Sequence, residues 1–171
     1  MKLPLRMSLL KIRHQKIKYI IIHHTECLYK NNELKIDSAK FQTNYLYQNV
    51  IQVKDPDVNY HYLIDKIQDE YYVTVGRPLF SLCEFDDISP DYNRNSIHVA
   101  LLGSYDFKIV DRRLYEILAY RLINSLLKQF SLNPSRIYLH NEVSNKKDLT
   151  CPGDFFEKQS LIAMVRRFII K

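Results

Sequence analysis

The sequence is poor in cysteine, glycine and tryptophan. Of its 171 residues, three are cysteine, three are glycine and none is tryptophan. An odd and small number of cysteines argues against a disulfide framework and fits either a reducing compartment or metal binding. The apolar runs are far shorter than the roughly 20 residues that a membrane-spanning helix needs. We therefore expect no membrane span.

The N-terminus does not look like a secretory signal. Residues 1–10 contain a short apolar stretch without a small-residue cleavage site, and Lys11 and Arg13 follow at once. We expect a protein that is cytoplasmic as made, so that a non-classical route would be needed to deliver it to a cell wall. Residues 1–16 are interpreted as a basic N-terminal extension and residues 17–171 as one domain, since this length suffices for one core.

The remaining composition is that of a globular protein, with 46% hydrophobic and 26% charged residues. The net charge of +6 suits an anionic partner, which would be nucleic acid, an anionic membrane face or an anionic wall polymer. The basic residues are dispersed and no nucleic-acid fold signature is present, so we expect no nucleic-acid partner. We expect a monomer.

Strand and helix patterns alternate along the chain. Continuous β-branched runs predict buried strands, and apolar residues at steps of four predict helices. The predicted elements, in order, are strand Lys18–His23, helix Ser38–Gln48, a hairpin of strands Tyr60–Asp65 and Tyr71–Val75, a long loop Pro78–Asn95, strand Ser96–Leu102, helix Asp111–Phe130, strand Arg136–Leu139 and helix Asp154–Ile170. This order predicts the α/β class: a single domain whose central sheet is flanked by helices, and is mixed because the hairpin is antiparallel.

Three metal-binding side chains stand where strands end or within a loop. His23 and His140 lie at the ends of predicted strands, and Cys151 lies in a Cys-Pro-Gly turn. Imidazole nitrogen and thiolate sulfur both suit zinc, and a catalytic zinc takes three protein ligands. Each residue also has an ordinary alternative: a hydrogen-bonded structural histidine, or a small buried cysteine. Spacing alone leaves the two interpretations open.

Six short blocks occur in one order along the chain: Ile21–Thr25, Asn59–Asp65, Gly76–Arg77, Asn95–Gly103, His140–Ser144 and Cys151–Gly153. Together they resemble the type-2 N-acetylmuramoyl-L-alanine amidases. That family includes the amidase-type phage lysozymes and the animal peptidoglycan-recognition proteins. The resemblance implies a zinc site in a cleft at the strand ends. It also implies zinc-dependent hydrolysis of the amide bond between N-acetylmuramic acid and L-alanine, with peptidoglycan or a muropeptide as substrate.

The resemblance also implies a role for each matching residue. His23, His140 and Cys151 would be the ligands of one zinc ion per chain. Tyr60 would be a catalytic residue that lines the cleft and stabilises the oxyanion of the reaction. For Tyr60 the alternative is a core tyrosine in a strand, since the chain has 13 tyrosines.

Other polar residues of the blocks are interpreted less specifically. His24 and Arg77 are expected to line the substrate groove, where Arg77 would bind a stem-peptide carboxylate. A surface ion pair is the alternative for Arg77. His61 and His98 lie inside predicted strands and are interpreted as structural residues, with support of the ligands from behind as the alternative.

Leu149 departs from the family pattern. Active members commonly have Lys or Thr two residues before the third ligand, and a leucine cannot donate a hydrogen bond there. Lys146, Lys147 or Thr150 would substitute if the loop is reshaped. The departure keeps a second function open, a non-catalytic peptidoglycan- or muropeptide-binding recognition module. Cys151 favours the enzyme, because loss of the third ligand is the family's usual mark of lost catalysis.

Overall fold

The protein was analysed as a computed structural model that describes residues 12–25, 29–30, 33–34, 58–67 and 69–169. The strands are β1 (Tyr19–His24), β2 (Tyr29–Lys30), β3 (Glu33–Leu34), β4 (Tyr62–Ile67), β5 (Glu70–Val75), β6 (Ser96–Leu101) and β7 (Ile137–Leu139). The α-helices are α1 (Pro90–Asn95), α2 (Arg112–Glu116), α3 (Asn124–Phe130), α4 (His140–Val143) and α5 (Lys158–Ile169). A π-helix, Ile117–Ile123, joins α2 to α3, and a 3₁₀ turn, Pro134–Arg136, precedes β7.

Five strands form the central sheet, in the order β5-β4-β6-β1-β7. The hairpin of β4 and β5 is antiparallel, whereas β4–β6, β6–β1 and β1–β7 are parallel pairs. Strands β2 and β3 form a separate antiparallel pair. The predicted α/β class, with a single domain and a mixed sheet flanked by helices, is confirmed.

One face of the sheet packs on the helices and forms the main core. In β1 the alternate residues Ile20 and Ile22 point to this face and are fully buried, as are Leu114 and Leu118 on the helical side. Burial of each such side chain contributes about 1.5–3 kcal/mol to the stability of the fold. The helices therefore hold the sheet from one side and leave its other face for the site.

The opposite face of the sheet carries polar side chains that are just as deeply buried. His23 and Asp65 are 1% exposed, and Ser96 and His98 are 0% exposed. The ring of Phe85, from the chain segment after β5, packs on both histidines of this group, with centroids 4.6 Å from His23 and 4.9 Å from His98. Polar groups in the interior need hydrogen-bond partners, so this face is where the structure departs from a plain apolar core.

Two helices differ from the sequence prediction in where they begin. The segment Pro78–Asn95 was predicted to be loop throughout, but its last six residues form α1. Pro90 occupies the first turn of α1, where its missing N–H removes no helical hydrogen bond. The C-terminal helix begins at Lys158 rather than Asp154, because the preceding residues form a turn closed by the bond from the Phe156 N–H to the Gly153 carbonyl.

The predicted helix Asp111–Phe130 is present, and its middle is π-helical. The predicted helix Ser38–Gln48 lies outside the described residues. Within the described part of the chain, no helix is long and apolar enough to span a bilayer.

Arg13 ties the start of the described chain to the polar face of the sheet. Its guanidinium donates to the carbonyls of Leu79 (3.0 Å), Arg94 (3.0 Å) and Ser96 (2.6 Å). Burial lowers the pKa of Arg13, while the charge of Cys83 raises it. Arg13 falls within the extension predicted for residues 1–16, and the boundary after residue 16 remains a prediction.

We predict that Arg13→Met lowers the free energy of unfolding by about 2–4 kcal/mol, because three carbonyl groups lose a charged donor in a poorly solvated place. Chemical denaturation measures the change. Arg112→Met is the matched control, since the Arg112 side chain is 80% exposed and its loss should change stability by about 0.5 kcal/mol or less. Equal effects of the two substitutions would contradict the prediction.

Candidate metal centre and cleft

Parallel pairing of β1 with β7 brings His23 and His140 together. Ile22 lies opposite Leu139 in the sheet register, so His23, still within β1, and His140, the first residue of α4, lie at the same edge of the sheet. Their ring centroids are 4.4 Å apart. The carboxyl ends of parallel strands are a common place for a site, and here two imidazoles meet there.

Cys151 reaches the same edge through backbone contacts. The His24 N–H lies 3.3 Å from the Cys151 Sγ, and the Asn141 N–H donates to the Cys151 carbonyl at 3.0 Å. Gly153, two residues later, has a φ of +112°, and a Cβ there would overlap the backbone of Tyr105. The turn therefore needs glycine at this position, and its close fit against Tyr105 holds Cys151 beside His24.

The three side chains offer a compact donor set. Ligand atoms of His23, His140 and Cys151 all lie within 4.8 Å of one another, and all three residues are buried. The His23 Nδ1 and the His140 Nε2 are buried nitrogen atoms without a hydrogen-bond partner. Two imidazoles and one thiol, with nitrogen atoms left unsatisfied in the interior, fit a zinc ion.

The protonation of both imidazoles suits metal binding. Burial lowers the pKa of His23 well below its usual value, and the neighbouring His98 and His140 lower it further. Burial also lowers the pKa of His140, although the Asp87 carboxylate opposes the shift. Both rings are therefore neutral at pH 7, which is the form that binds a metal. Their assignment as ligands remains a prediction.

A cleft of about 280 Å³ opens above the donor set. It is lined by side chains from β1, from the segments before β4 and after β5, and from the chain between α4 and Cys151. The lining residues are His24, Thr25, Tyr60, Phe85, Asp87, His140, Lys146, Leu149 and Cys151.

Asp87 is a cleft residue that sequence reasoning missed. Its Oδ2 accepts a 2.7 Å hydrogen bond from the Ser144 hydroxyl and lies 3.1 Å from the His140 Nε2, a contact without hydrogen-bond geometry. Burial raises the pKa of Asp87, but the Ser144 hydrogen bond and the charges of His140 and Lys146 outweigh it, so the net shift is downward. Asp87 is therefore a carboxylate at neutral pH, placed beside one candidate ligand.

Phe85 is the second residue that was missed. Its ring stacks on His23 at an interplanar angle of 18° and also lines the cleft. Both Phe85 and Asp87 come from the predicted long loop, and the length of that loop was the one signal for a functional segment. Nothing in its local sequence distinguishes these two residues from the rest.

Of the residues predicted to act on or bind the substrate, Tyr60 and His24 line the cleft, whereas Arg77 is not among its lining residues. Tyr60 lies at the cleft with its ring centroid 5.4 Å from that of His23. His24 also lines the cleft, and its Nδ1 accepts the Tyr105 N–H at 3.3 Å. Arg77 is 3% exposed and donates to the Leu82 carbonyl, which does not fit the surface ion pair considered as its alternative. The substrate-binding roles of His24 and Arg77 remain predictions.

His61 lies behind the site and contacts polar groups of Arg13, Ser81 and His98. Its Nδ1 accepts the His98 N–H at 3.0 Å, so in the neutral ring the proton is on Nε2, 3.1 Å from the Ser81 carbonyl. Burial, and next the charge of Arg13, lower the pKa of His61 to about 3. The ring is therefore neutral throughout the physiological range.

Comparison with known proteins gives one family and one fold. A family model described as N-acetylmuramoyl-L-alanine amidase matches residues 13–154. No curated protein sequence matches the chain.

Three solved structures illustrate the shared fold. An endolysin from the Thermus scotoductus bacteriophage Ph2119 is 19% identical, with 92% of this chain and 90% of that chain covered and a TM-score of 0.63. The endolysin amidase LysCS from Clostridium intestinale is 19% identical, with 88% and 84% covered and a TM-score of 0.62. A mutant of Drosophila PGRP-LB in complex with tracheal cytotoxin is 17% identical, with 86% and 81% covered and a TM-score of 0.60.

We predict that the metal-free protein loses stability as the pH falls. Unfolded His61 takes up a proton below about pH 6.5 and folded His61 does not, so this residue removes about 1.4 kcal/mol of unfolding free energy per pH unit. The loss continues until the pH approaches the folded pKa of about 3. Chemical denaturation between about pH 6.5 and 4 should show a shallower slope for His61→Asn, which keeps an acceptor on Cγ but does not titrate. Parallel slopes would contradict the prediction.

Proposed function

The chain belongs to the type-2 N-acetylmuramoyl-L-alanine amidase family, and we propose that it is a zinc-dependent enzyme that hydrolyses the amide bond between N-acetylmuramic acid and L-alanine in peptidoglycan. The family match over residues 13–154 supports the reaction class. The single observation that carries the proposal is the donor set of His23, His140 and Cys151, within 4.8 Å, at the edge of the cleft.

These three residues are the ones that would hold the zinc ion, one per chain. They leave one of the four usual coordination positions for water or substrate, as catalytic zinc sites require. The chemistry that zinc supplies is Lewis acidity, which activates water near neutral pH and polarises a carbonyl group. The cleft above the donor set is where a muropeptide amide would lie.

Tyr60 is proposed to stabilise the charge that develops on the carbonyl oxygen. Its hydroxyl is a donor on a residue that lines the cleft beside His23. A donor held in place before the reaction lowers the barrier without the cost of reorganising solvent. Tyr60 would thereby add a hydrogen-bond donor to the charge stabilisation that a bound zinc ion would supply.

Lys146 is proposed to supply the cation that Leu149 cannot. Lys146 and Leu149 both line the cleft, whereas Lys147 and Thr150 are not among its lining residues. The Lys146 charge also lowers the pKa of both Asp87 and His140, which supports a position close to the site. Of the three substitutes that the sequence leaves open, the geometry favours Lys146.

Asp87 is proposed to steady His140. It is held by the Ser144 hydroxyl, and the Asn145 N–H donates to its backbone carbonyl at 2.8 Å. Its Oδ2 lies 3.1 Å from the His140 Nε2, so the fixed carboxylate stands beside the nitrogen atom proposed to hold the metal and would restrict the orientation of the ring. His24 and Arg77 are retained as proposed substrate-binding residues.

A recognition module that binds muropeptides without cutting them is the second candidate. Leu149 favours it, because an apolar side chain faces the cleft where active family members commonly have a hydrogen-bond donor. The structural similarity to PGRP-LB in complex with tracheal cytotoxin shows that this fold also occurs in a bound complex with such a ligand. The two functions share the cleft and differ in whether the amide bond is cleaved.

We predict that the zinc-loaded protein releases free stem peptides with a new L-alanine amino terminus from purified peptidoglycan or soluble muropeptides, as detected by mass spectrometry. Chelator-treated protein and Cys151→Ser should release none, because each lacks part of the proposed metal centre. Intact muropeptides after incubation with protein that carries stoichiometric zinc would exclude the enzyme and favour the recognition module.

We predict that Lys146→Met lowers kcat by about 100-fold with a smaller effect on KM, since a transition-state cation is lost. Lys147→Met is the matched control: it removes the same charge from the neighbouring residue, which does not line the cleft. Steady-state hydrolysis of a soluble muropeptide measures both. A kcat that is unchanged in Lys146→Met, or reduced equally in Lys147→Met, would assign the cation to another group.

A further inference from the structure

His98 is a buried histidine that neither the candidate donor set nor the cleft includes. It is 0% exposed and lies in β6, the middle strand of the five-stranded sheet. The His98 Nδ1 is 2.9 Å from the His23 Nε2. Within the described residues this is the one hydrogen bond of the His98 ring, because the His98 Nε2 has no partner. A buried polar ring with one bond is costly, so its position calls for an explanation.

The register of β1 and β6 makes this contact possible. His98 lies opposite Ile21, and the residue opposite His23 is Ala100. The small side chain of Ala100 leaves room for the His23 ring to lean along the strand toward His98, and the ring centroids are 5.1 Å apart. Both side chains point to the same face, because residues separated by two positions share a face.

The backbone of His98 is itself hydrogen-bonded to His61, the residue that precedes β4. Its backbone N–H donates to the His61 Nδ1 at 3.0 Å instead of to a backbone carbonyl, and its carbonyl accepts the His61 N–H at 2.9 Å. The His98 backbone is thus fixed by two bonds to one residue. The imidazole that meets His23 therefore stands on a rigid base.

We propose that His98 is the positioning residue for His23, a role that rests on the proposed zinc site. One proton lies between the His23 Nε2 and the His98 Nδ1. If it belongs to His23, then His23 donates to His98 and its Nδ1 carries a lone pair. That Nδ1 is the buried nitrogen without a partner. The bond to His98 then sets both the ring orientation and the tautomer that a metal ligand needs.

The histidine is a suitable acceptor in this place, and a residue without an acceptor at this position would leave the His23 Nε2 unsatisfied. Metal-bound histidines usually donate their second nitrogen to a carboxylate, a backbone carbonyl or water. In this protein the acceptor is a second neutral imidazole, which keeps the charge of the polar face low. The ring of Phe85 packs on both His23 and His98 and lies between this pair and the cleft.

The test measures metal affinity in the full chain, without reference to catalysis. Zinc affinity is determined by competition with a chromophoric chelator, and the absorption spectrum of the cobalt-substituted protein reports the coordination geometry. We expect His98→Gln to lower zinc affinity by about 10- to 100-fold and to change the cobalt spectrum. We expect the zinc affinity of His98→Asn to stay within about threefold of that of the parent chain. The acceptor oxygen of Asn is bonded to Cγ, as is the Nδ1 of histidine, whereas the acceptor oxygen of Gln is one carbon further out.

Ser96→Ala is the matched control. Ser96 lies on the same strand and face, is equally buried, and its hydroxyl has no partner in the described structure, so its loss should leave zinc affinity unchanged. The positioning role would be overturned, with the zinc site left intact, if His98→Asn and His98→Gln had equal zinc affinities. This holds whether both variants keep the parent affinity and cobalt spectrum or both lose zinc affinity to the same extent. A parent chain that binds no zinc would overturn the proposed function itself and the role of His98 with it.

Discussion

Strand β1 is paired in parallel on both sides, with β6 and with β7, and the meeting of the two candidate histidine ligands depends on this pairing. Parallel strands end at the same edge of a sheet, so His23 and His140 meet without any contribution from a long loop. The register is held by Ile20 and Ile22, which are fully buried against the helices. A slip by one residue would turn these side chains to the polar face and His23 into the core, so packing protects the site.

The two faces of the sheet bury side chains of different polarity. The helical face is an apolar core, whereas the other face buries His23, His61 and His98 in a network of hydrogen bonds, which Arg13 joins through the Ser96 carbonyl. Neutral imidazoles reduce the cost of this arrangement, because a neutral ring loses less solvation on burial than a charged one. Unsatisfied nitrogen atoms on His23 and His140 concentrate at the strand ends. Such local exceptions to hydrogen-bond satisfaction are typical of functional sites.

The cleft combines a carboxylate, a cation and an apolar side chain within a small volume. Asp87 lies beside His140, Lys146 is close enough to influence both, and Leu149 completes the wall. The segment after β5 is fixed to the segment after α4 by the Ile88–Ser144 bridge. This contact joins the two walls of the cleft, so its shape is a property of the fold and not of one loop.

The amino-acid sequence by itself determined the strands, most of the long helix, the α/β class and, through six ordered blocks, the family. These follow from local periodicity and from residue types at short spacing, which a sequence displays directly. It also singled out His23, His140 and Cys151 as candidates, although it could not bring them together. The start of α1 at Pro90 was readable as well, since proline in a first helical turn is a local signal that we interpreted as loop.

Only the tertiary structure decided which side chains meet. The contact of His98 with His23 depends on the register between β1 and β6, and the burial of Arg77 depends on how the segment after β5 folds back. Asp87 and Phe85 reach the site from an aperiodic segment, where no spacing predicts direction. Periodicity defines the face on which a residue lies within its own element, whereas the neighbour on that face is chosen by strand order and packing, which are properties of the whole chain.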